Sequence, residues 1–584
     1  MSTPLDHEFV RAAAGAADRT AVPLAAGPDE EPAGVPHRGL ARRVKTLIAA
    51  YRSPDSALHG SGQAVAAAMT HLRALRAVQT PSGLFAGGDN VQSPPDSAFT
   101  VNDVCDAYVL AADAGPELGD VTAALAEIAG AATASLLTGG VHTPNHRWEL
   151  SAALARLHRS FPDDRLLLRA EEWLAEGVDI DAEGLYSERS AVYASIVTNP
   201  ALLLLAEVLG RSDLLDAVER NLAATLDLIR PDGTVETVHS RRQDQKLSFA
   251  LWPYLPHYRL LAIRTGRGDF ARAARLAAAD GIDDPDLLAR TLLTPDLCRA
   301  LPAPDAEKLP RDRYLPTARL AAHVSATAHT VVYGGSDVPE HRRIRSGLAC
   351  NPTFLRLFAG AAVLDAVRLS RAFFDLGPFR AADMEQLADN RYRLTQTLTT
   401  AYYQPLPKDR RRDDGAYRLV DEGRFSAAMA FPDRPQDEVS HTTRVEVDLR
   451  EDGADLRIDI RGPSVPWALE LTFRPGGEPQ GAAPIGDGSW CLTTEPLTYR
   501  VGDDEILVEA AVETGEPLAG PDRSDVLRYD PGQDHTVVGG TDATTGNRVY
   551  LGGHGPQTLT VALRARRPQP VARPRRTTPR PSPA

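Results

Sequence analysis

The sequence predicts a multidomain α-then-β protein, an all-helical domain followed by a large antiparallel β-domain. One change in hydrophobic period carries that prediction. From residue 39 to about 279, apolar residues recur at three- and four-residue spacing. After about residue 317 the period falls to two. Strands do not alternate with helices, so an antiparallel sandwich fits better than an α/β sheet.

Ten helices follow from the first period, over 42–51, 63–76, 101–113, 121–137, 147–158, 165–174, 201–209, 214–229, 247–263 and 271–278. Pro81-Ser-Gly, Pro94-Pro95, Gly139-Gly140 and Pro231-Asp-Gly separate them. The helix over 247–263 should be split by Pro253 and Pro256. Strands are expected over 330–333, 354–358, 392–400, 445–449, 456–460, 468–473, 505–512 and 558–563, with Asp452-Gly and Asp487-Gly as hairpin turns. The domains should therefore be 37–310 (helical) and 311–566 (β). Residues 1–36, rich in Ala, Gly, Pro and acid, read as a poorly ordered lead-in, and 567–584 as an extended Pro/Arg tail.

Composition excludes several functional classes. Of 584 residues, 43% are apolar and 24% charged, as in ordinary globular proteins. With 64 basic and 78 acidic residues the net charge is −14, which argues against a general nucleic-acid binder. Cys105, Cys298, Cys350 and Cys491 form no CxxC pair, so neither a disulfide framework nor a cysteine metal site is expected. No secretory signal or membrane-spanning run is legible, and a cytoplasmic protein is the expectation. Phosphate-loop, Rossmann, HExxH and GxSxG patterns are absent, and no cofactor or metal is expected.

Three polar clusters each follow a Gly-containing turn, and together they would line one mouth of a helical toroid. The first is Gly139-Gly-Val-His-Thr-Pro-Asn-His-Arg-Trp-Glu149. Asn145 is a good N-cap, but a cap does not explain His146, Arg147, Trp148 and Glu149 beside it. His146 and Glu149, three apart, share a helix face. The second cluster runs from Glu183 to Tyr193 and contains Tyr186, Glu188 and Arg189. A cation such as Arg189 near a phenol would favour the phenolate. The third, Val238-His-Ser-Arg-Arg-Gln-Asp-Gln245, offers His239 and the anion-binding forks of Arg241 and Arg242. Asn102, with Asp89, Asn90, Asp96, Asp103, Phe85 and Phe99, belongs to a first long loop that would make a sugar-stacking rim.

Through Thr143-Pro-Asn-His-Arg-Trp-Glu149, Tyr186–Tyr193 and Gly347-Leu-Ala-Cys-Asn-Pro-Thr-Phe354, the chain resembles the heparinase II/III-like polysaccharide lyases. That resemblance implies an incomplete (α/α) toroid followed by an antiparallel β-sandwich, and β-elimination of a uronic-acid-containing polysaccharide or oligosaccharide. It assigns Asn145 and His146, with Glu149, to the uronate carboxylate and Tyr193 to base and acid. Arg147, Trp148, Tyr186, Glu188, Arg189, Arg241, Arg242 and Asn102 would bind substrate, and His239 would join the catalytic set. A further His from the β-domain is implied, with His323, His329 and His341 as candidates. Gly184-Leu-Tyr-Ser-Glu-Arg stands where the family often has Gly-Ser-Phe/Tyr and His. Two alternatives remain open: a toroidal glycoside hydrolase using a carboxylate pair from Glu149, Glu188 and Asp244, and a non-catalytic carbohydrate-binding protein.

Overall fold

A computed structural model of the chain describes residues 4–27, 32, 34–88, 90–342, 347–374, 376–486, 488–492, 496–520 and 545–566. The chain divides into two units, Met1–Glu307 and Lys308–Ala584. The tail over 567–584, Asp89 and the Asp487-Gly turn lie outside the described residues.

The first unit is an incomplete (α/α) toroid. Its helices are α1 (His7–Ala25), α2 (His37–Arg52), α3 (Gly62–Val78), α4 (Pro94–Ala112), α5 (Gly119–Thr138), α6 (Pro144–Ser160) and α7 (Asp164–Leu174). They continue as α8 (Ala191–Tyr193), α9 (Asn199–Leu209), α10 (Ser212–Leu226), α11 (Leu255–Thr265), α12 (Gly268–Ala277) and α13 (Leu287–Leu293). The inner helices α2, α4, α6 and α9 pack on one another in that order, and α1, α3, α5 and α7 make a second row outside them. Burial separates the rows: 13 of the 19 residues of α4 are buried, but only five of the 17 of α3. Contacts between the inner helices keep chain order: Arg38 meets Asp96 and Arg52 meets Leu110, and Asn102 meets Glu149 and Asp106 meets Arg156. Helices α2, α4 and α6 therefore run the same way and begin at the same end of the unit.

One sequence expectation fails in this unit and another holds. Residues 7–25 are a docked helix, not a loose lead-in. Asp6 caps it by accepting from the Phe9 N–H at 3.1 Å, and Ala13, Ala14, Ala17 and Ala21 are fully buried. Arg259 lies 3.6 Å from the Phe9 ring centroid and bonds Asp6 at 2.8 Å. Alanine allows close helix approach but gives a weak periodic signal, which is why this helix was illegible. The stretch 247–263 is broken as the prolines predict: Pro253 opens a 3-10 turn over Trp252–Tyr254, and Pro256 sits in the first turn of α11.

Among the described residues, two helical stretches, Pro116–Thr138 and Ala191–Leu209, match a membrane span in length and composition. Both pack within the unit, burying Val121, Leu125, Ile128 and Leu136 in one and Leu202, Leu204 and Leu205 in the other.

The second unit is a β-sandwich whose two sheets show eight and nine strands among the described residues, all paired antiparallel except Ser489–Cys491, which runs parallel to Asn547–His554. In the first, Gln436–Arg450 lies between Arg391–Tyr403 and Gly453–Arg461, so that Val445 opposes Leu394 on one side and Ile458 on the other. In the second, Pro466–Phe473 lies between Ala362–Arg371 and Asn547–His554. Alternate residues of both sheets fill one core, including Leu364, Val367, Leu469 and Leu471 from one and Leu394, Val445, Ile458 and Val561 from the other. Ala362–Arg371 escaped the period-two reading because nine of its ten residues are buried, on both faces. The four cysteines are free thiols.

The α1 anchor is directly testable. Phe9→Ala should destabilise the protein by about 3–5 kcal/mol, through the lost ring and the cavity it leaves. Denaturant unfolding followed by circular dichroism measures this.

Candidate functional site

The start of α6 is set by Pro144 in its first turn, a position where the missing N–H costs nothing. The helix then projects Asn145, His146 and Glu149 on one side, all buried. Arg147 and Trp148 fall on another. The Trp148 indole N–H donates to Asp179 at 3.0 Å with 1% of the residue exposed, and Arg147 pairs with Glu176 at 2.9 Å and Asp179 at 3.2 Å. The expectation that these two bind substrate is therefore corrected: the rotation of about 100° per residue turns them into the packing between α6 and the loop over 176–179.

Four predicted residues from three segments are joined by hydrogen bonds and an ion pair. Asn145 Nδ2 donates to Glu188 Oε1 at 3.0 Å and Oε2 at 2.8 Å. Glu188 Oε1 lies 3.3 Å from an Arg242 terminal nitrogen, and the other terminal nitrogen of Arg242 donates to the Tyr193 hydroxyl at 3.2 Å. The Arg242 guanidinium also lies 4.6 Å from the Tyr193 ring centroid. The Asn145 amide nitrogen thus faces both oxygens of one carboxylate, while its Oδ1 is buried without a hydrogen-bond partner.

The loops bearing Glu188 and Arg242 are held by buried polar ties. Asp244 accepts from Ser190 Oγ at 2.9 Å, from the Val192 N–H at 3.3 Å and from Ser240 Oγ. This carboxylate is a structural tie, which removes it from the hydrolase pair. The Arg241 N–H donates to the Glu188 carbonyl at 2.9 Å and its guanidinium to the Ser187 carbonyl at 3.1 Å. Arg241 thus fastens one loop to the other, and Arg242 is the cation on Tyr193. Gly184, at φ +93°, lets the loop touch α10, where a Cβ would sit 2.5 Å from the Arg220 carbonyl oxygen.

Tyr193 is followed by a π-turn, Ala194–Thr198, in which the Asn199 N–H reaches back to the Ala194 carbonyl. Continuing that pattern, the Ser195 carbonyl would accept from residue 200, but Pro200 has no N–H. His257 Nε2 supplies the missing donor at 2.7 Å. Burial pushes its imidazole down to about 3, so it stays neutral. Such turns inside helices recur at functional sites.

Other expected site residues lie inside the protein. Tyr186 donates to Asn199 Oδ1 at 2.8 Å, is 5% exposed, and burial raises its phenol well above the ordinary range. It is a core tyrosine. His239 is 1% exposed and lines a small internal gap with Tyr186, Arg189 and Tyr254. The Asn102 amide is fully used: it donates to Glu149 Oε1 at 2.6 Å and to the Glu149 carbonyl at 3.2 Å, and accepts from Arg156 at 3.2 Å. Its role is to hold Glu149, not substrate, and it stands within α4 rather than in a loop. In the β-unit, His323 pairs with Asp312 and is buried, His329 is buried against Phe358, and His341 is exposed at the end of a short helix. Among the described residues no group of His, Cys, Asp and Glu could hold a metal ion.

The site's ionisable groups are displaced in opposite directions. Burial raises Glu188, and Arg242 and Asn145 offset this only in part. Burial pushes Glu149 up to about 7 despite the Asn102 hydrogen bond. His146 is pushed down to about 4, first by burial and then by His142, with Arg242 and Arg38 also opposing its charge. The sequence reading missed Arg38 and Arg156, because neither lies in a Gly-flanked polar cluster.

No family model matches the chain, and no curated protein matches it. Among solved structures it is similar to a Paenibacillus xanthan lyase, with a TM-score of 0.52 and 11% identity over 95% of this chain and 57% of that one. It is also similar to the Streptomyces coelicolor A3 chondroitin AC lyase in complex with chondroitin sulphate, with a TM-score of 0.49 and 14% identity, covering 96% and 80% of the two chains. A cellulase from C. cellulolyticium matches 42% of this chain and 63% of its own length at a TM-score of 0.29 and 11% identity. The xanthan lyase likeness shows the fold, a helical toroid followed by an antiparallel β-sandwich.

Glu149 should leave a signature in stability. Its folded carboxyl holds its proton up to about pH 7, against an ordinary value of 4.5. The folded state thus binds more protons than the unfolded chain between these limits, and stability falls as pH rises through them. His146, ordinarily 6.5 and here about 4, works the other way between those values. The difference between Glu149→Gln and wild type isolates the carboxyl: the variant should gain stability relative to wild type from pH 4.5 to 7, by chemical denaturation at each pH.

Proposed function

We propose that this protein is a polysaccharide lyase that cleaves an acidic glycan by β-elimination at a uronate residue. The observation that carries the reading is the continuous Asn145–Glu188–Arg242–Tyr193 network at the start of α6. The proton on C5 of a uronate is hard to remove while the adjacent carboxylate is anionic, because the intermediate gathers two negative charges. The Asn145 amide donates to that carboxylate, and Glu188 fixes the amide in place. Neutral His146 adds a ring N–H without a competing proton transfer near neutral pH. Donors already in place where charge builds up stabilise the intermediate without reorganisation.

Tyr193 then takes the C5 proton. The Arg242 N–H on its oxygen offsets negative charge there before the proton arrives. The C5–H bond breaks, the C4–C5 double bond forms, and the C4–O4 bond breaks as Tyr193 returns its proton to O4. The product carries a 4,5-unsaturated uronate at its new non-reducing end. Tyr193→Phe should lower kcat by about 10²-fold to 10⁴-fold with binding retained. The readout is ultraviolet absorbance of the unsaturated product over a panel of uronic-acid polymers. Wild-type protein that releases no such product from any of them refutes the lyase.

One observation favours a glycoside hydrolase instead. A buried carboxyl held protonated to about pH 7, as Glu149 is, suits a general acid. In that case the products are saturated reducing sugars, and Glu149→Gln is inactive while Tyr193→Phe is not.

A further inference from the structure

Beside the Tyr193 network lies a second polar row, of which the elimination uses His146 alone. Arg38, the second residue of α2, places its guanidinium 3.9 Å from the centroid of the Phe99 ring. Phe99 meets His146 edge-on at 6.4 Å and 81°, and His146 meets His142 edge-on at 4.7 Å and 84°. The row is built rather than incidental. Asp96 pairs with Arg38 and is itself held by Ser93 Oγ at 2.6 Å and Asn90 at 3.3 Å. Gly87 packs so close to Asp96 that a Cβ there would lie 2.1 Å from the carboxyl carbon.

Three features point outward from this row to a ligand. The Arg38 side chain is 41% exposed although it is pinned on two sides. A guanidinium has five N–H donors, and a single carboxylate does not exhaust them. His146 Nδ1 is a buried atom without a hydrogen-bond partner on a side chain 9% exposed, and Thr143 Oγ1 nearby in the chain is buried and unpartnered as well. His142 stands exposed at the end of the row. His146 feels the charge of both Arg38 and Arg242, so it stands between this row and the Tyr193 network electrostatically.

We propose that Arg38, seated over Phe99 in a row with His146 and His142, forms a second anion subsite that takes the carboxylate or sulfate ester of the sugar adjacent to the one cleaved. The proposal rests on the lyase reading. It makes the enzyme selective for glycans with acidic groups on consecutive residues, because a planar fork held on an aromatic face is preorganised for a planar or tetrahedral oxyanion.

The test measures binding by calorimetry in a Tyr193→Phe background, where turnover does not interfere. The probes are tetragalacturonate, with a carboxylate on every residue, a chondroitin 4-sulfate tetrasaccharide, with sulfate on the adjacent residue, and its unsulfated counterpart, whose adjacent residue is neutral. Adding Arg38→Ala should weaken one or both of the first two by about tenfold and leave the third within about twofold. Which of the two responds tells carboxylate from sulfate. Phe99→Leu keeps the Arg38–Asp96 pair but removes the platform, and should show the same selectivity with a smaller loss. An equal loss for all three probes, or no loss for any bound probe, overturns the subsite and leaves the lyase standing. If the Tyr193→Phe protein binds none of the three while its melting matches wild type, both readings fall.

Discussion

The organisation of this molecule depends on the parallel course of its inner helices. Each of α2, α4 and α6 begins at the same end because one outer helix carries the chain back between them. Free N–H groups and the positive ends of three helix dipoles are thereby gathered at one end of the toroid. Six side chains of the site and its neighbouring row lie in first turns or just beyond. Arg38 is the second residue of α2, Asp96 and Phe99 are the third and sixth of α4, and Asn145, His146 and Glu149 are the second, third and sixth of α6. Proline opens α4 and α6 in each case, fixing the backbone where the side chains must be placed. A net charge of −14 is compatible with an acidic ligand for this reason, since the local field at that end is set by helix ends and guanidinium groups.

Within that frame, Glu188 and Arg242 form a mutually dependent pair. A carboxylate 8% exposed is costly alone, and Arg242 at 3.3 Å with the Asn145 amide on both oxygens makes it tolerable. The pair also transmits order: Glu188 orients Asn145, and Arg242 reaches Tyr193. Asp244 and Arg241 do for the loop backbones what Glu188 and Arg242 do for the side chains. The half of the site that carries Glu188 and Arg242 is thus built from loops tied together by buried hydrogen bonds.

Much of this architecture was legible in the sequence, and the failures have physical causes. The change of period from three-to-four to two located both units, because each has one buried face per element. Helix α1 and strand Ala362–Arg371 were invisible for opposite reasons, one being too small-sided to show periodicity and the other buried on both faces. Composition picked out Asn145, His146, Glu149, Glu188, Tyr193 and Arg242, since ionisable groups crowded after glycine turns are expensive unless used. It could not tell which way each one faced. Trp148, Tyr186 and His239 looked identical in kind to their neighbours, and only packing shows that they are interior. Choosing Arg242 over Arg241 or Arg189 as the partner of Tyr193 needed the turn geometry of two loops at once. Arg38 lay at the edge of a segment read as a loose lead-in, and its importance comes from a helix 58 residues further on.

The π-turn after Tyr193 also fixes the chain length at that point. A turn of this kind holds one residue more than the helix around it without breaking the rod, and Pro200 and His257 are fitted to that extra width. Removing one residue would swing Tyr193 by about 100° relative to α9 and strand His257 against a carbonyl with a new partner. A change of length is therefore cheap in the connecting loops and expensive here, where it would carry the tyrosine away from Arg242.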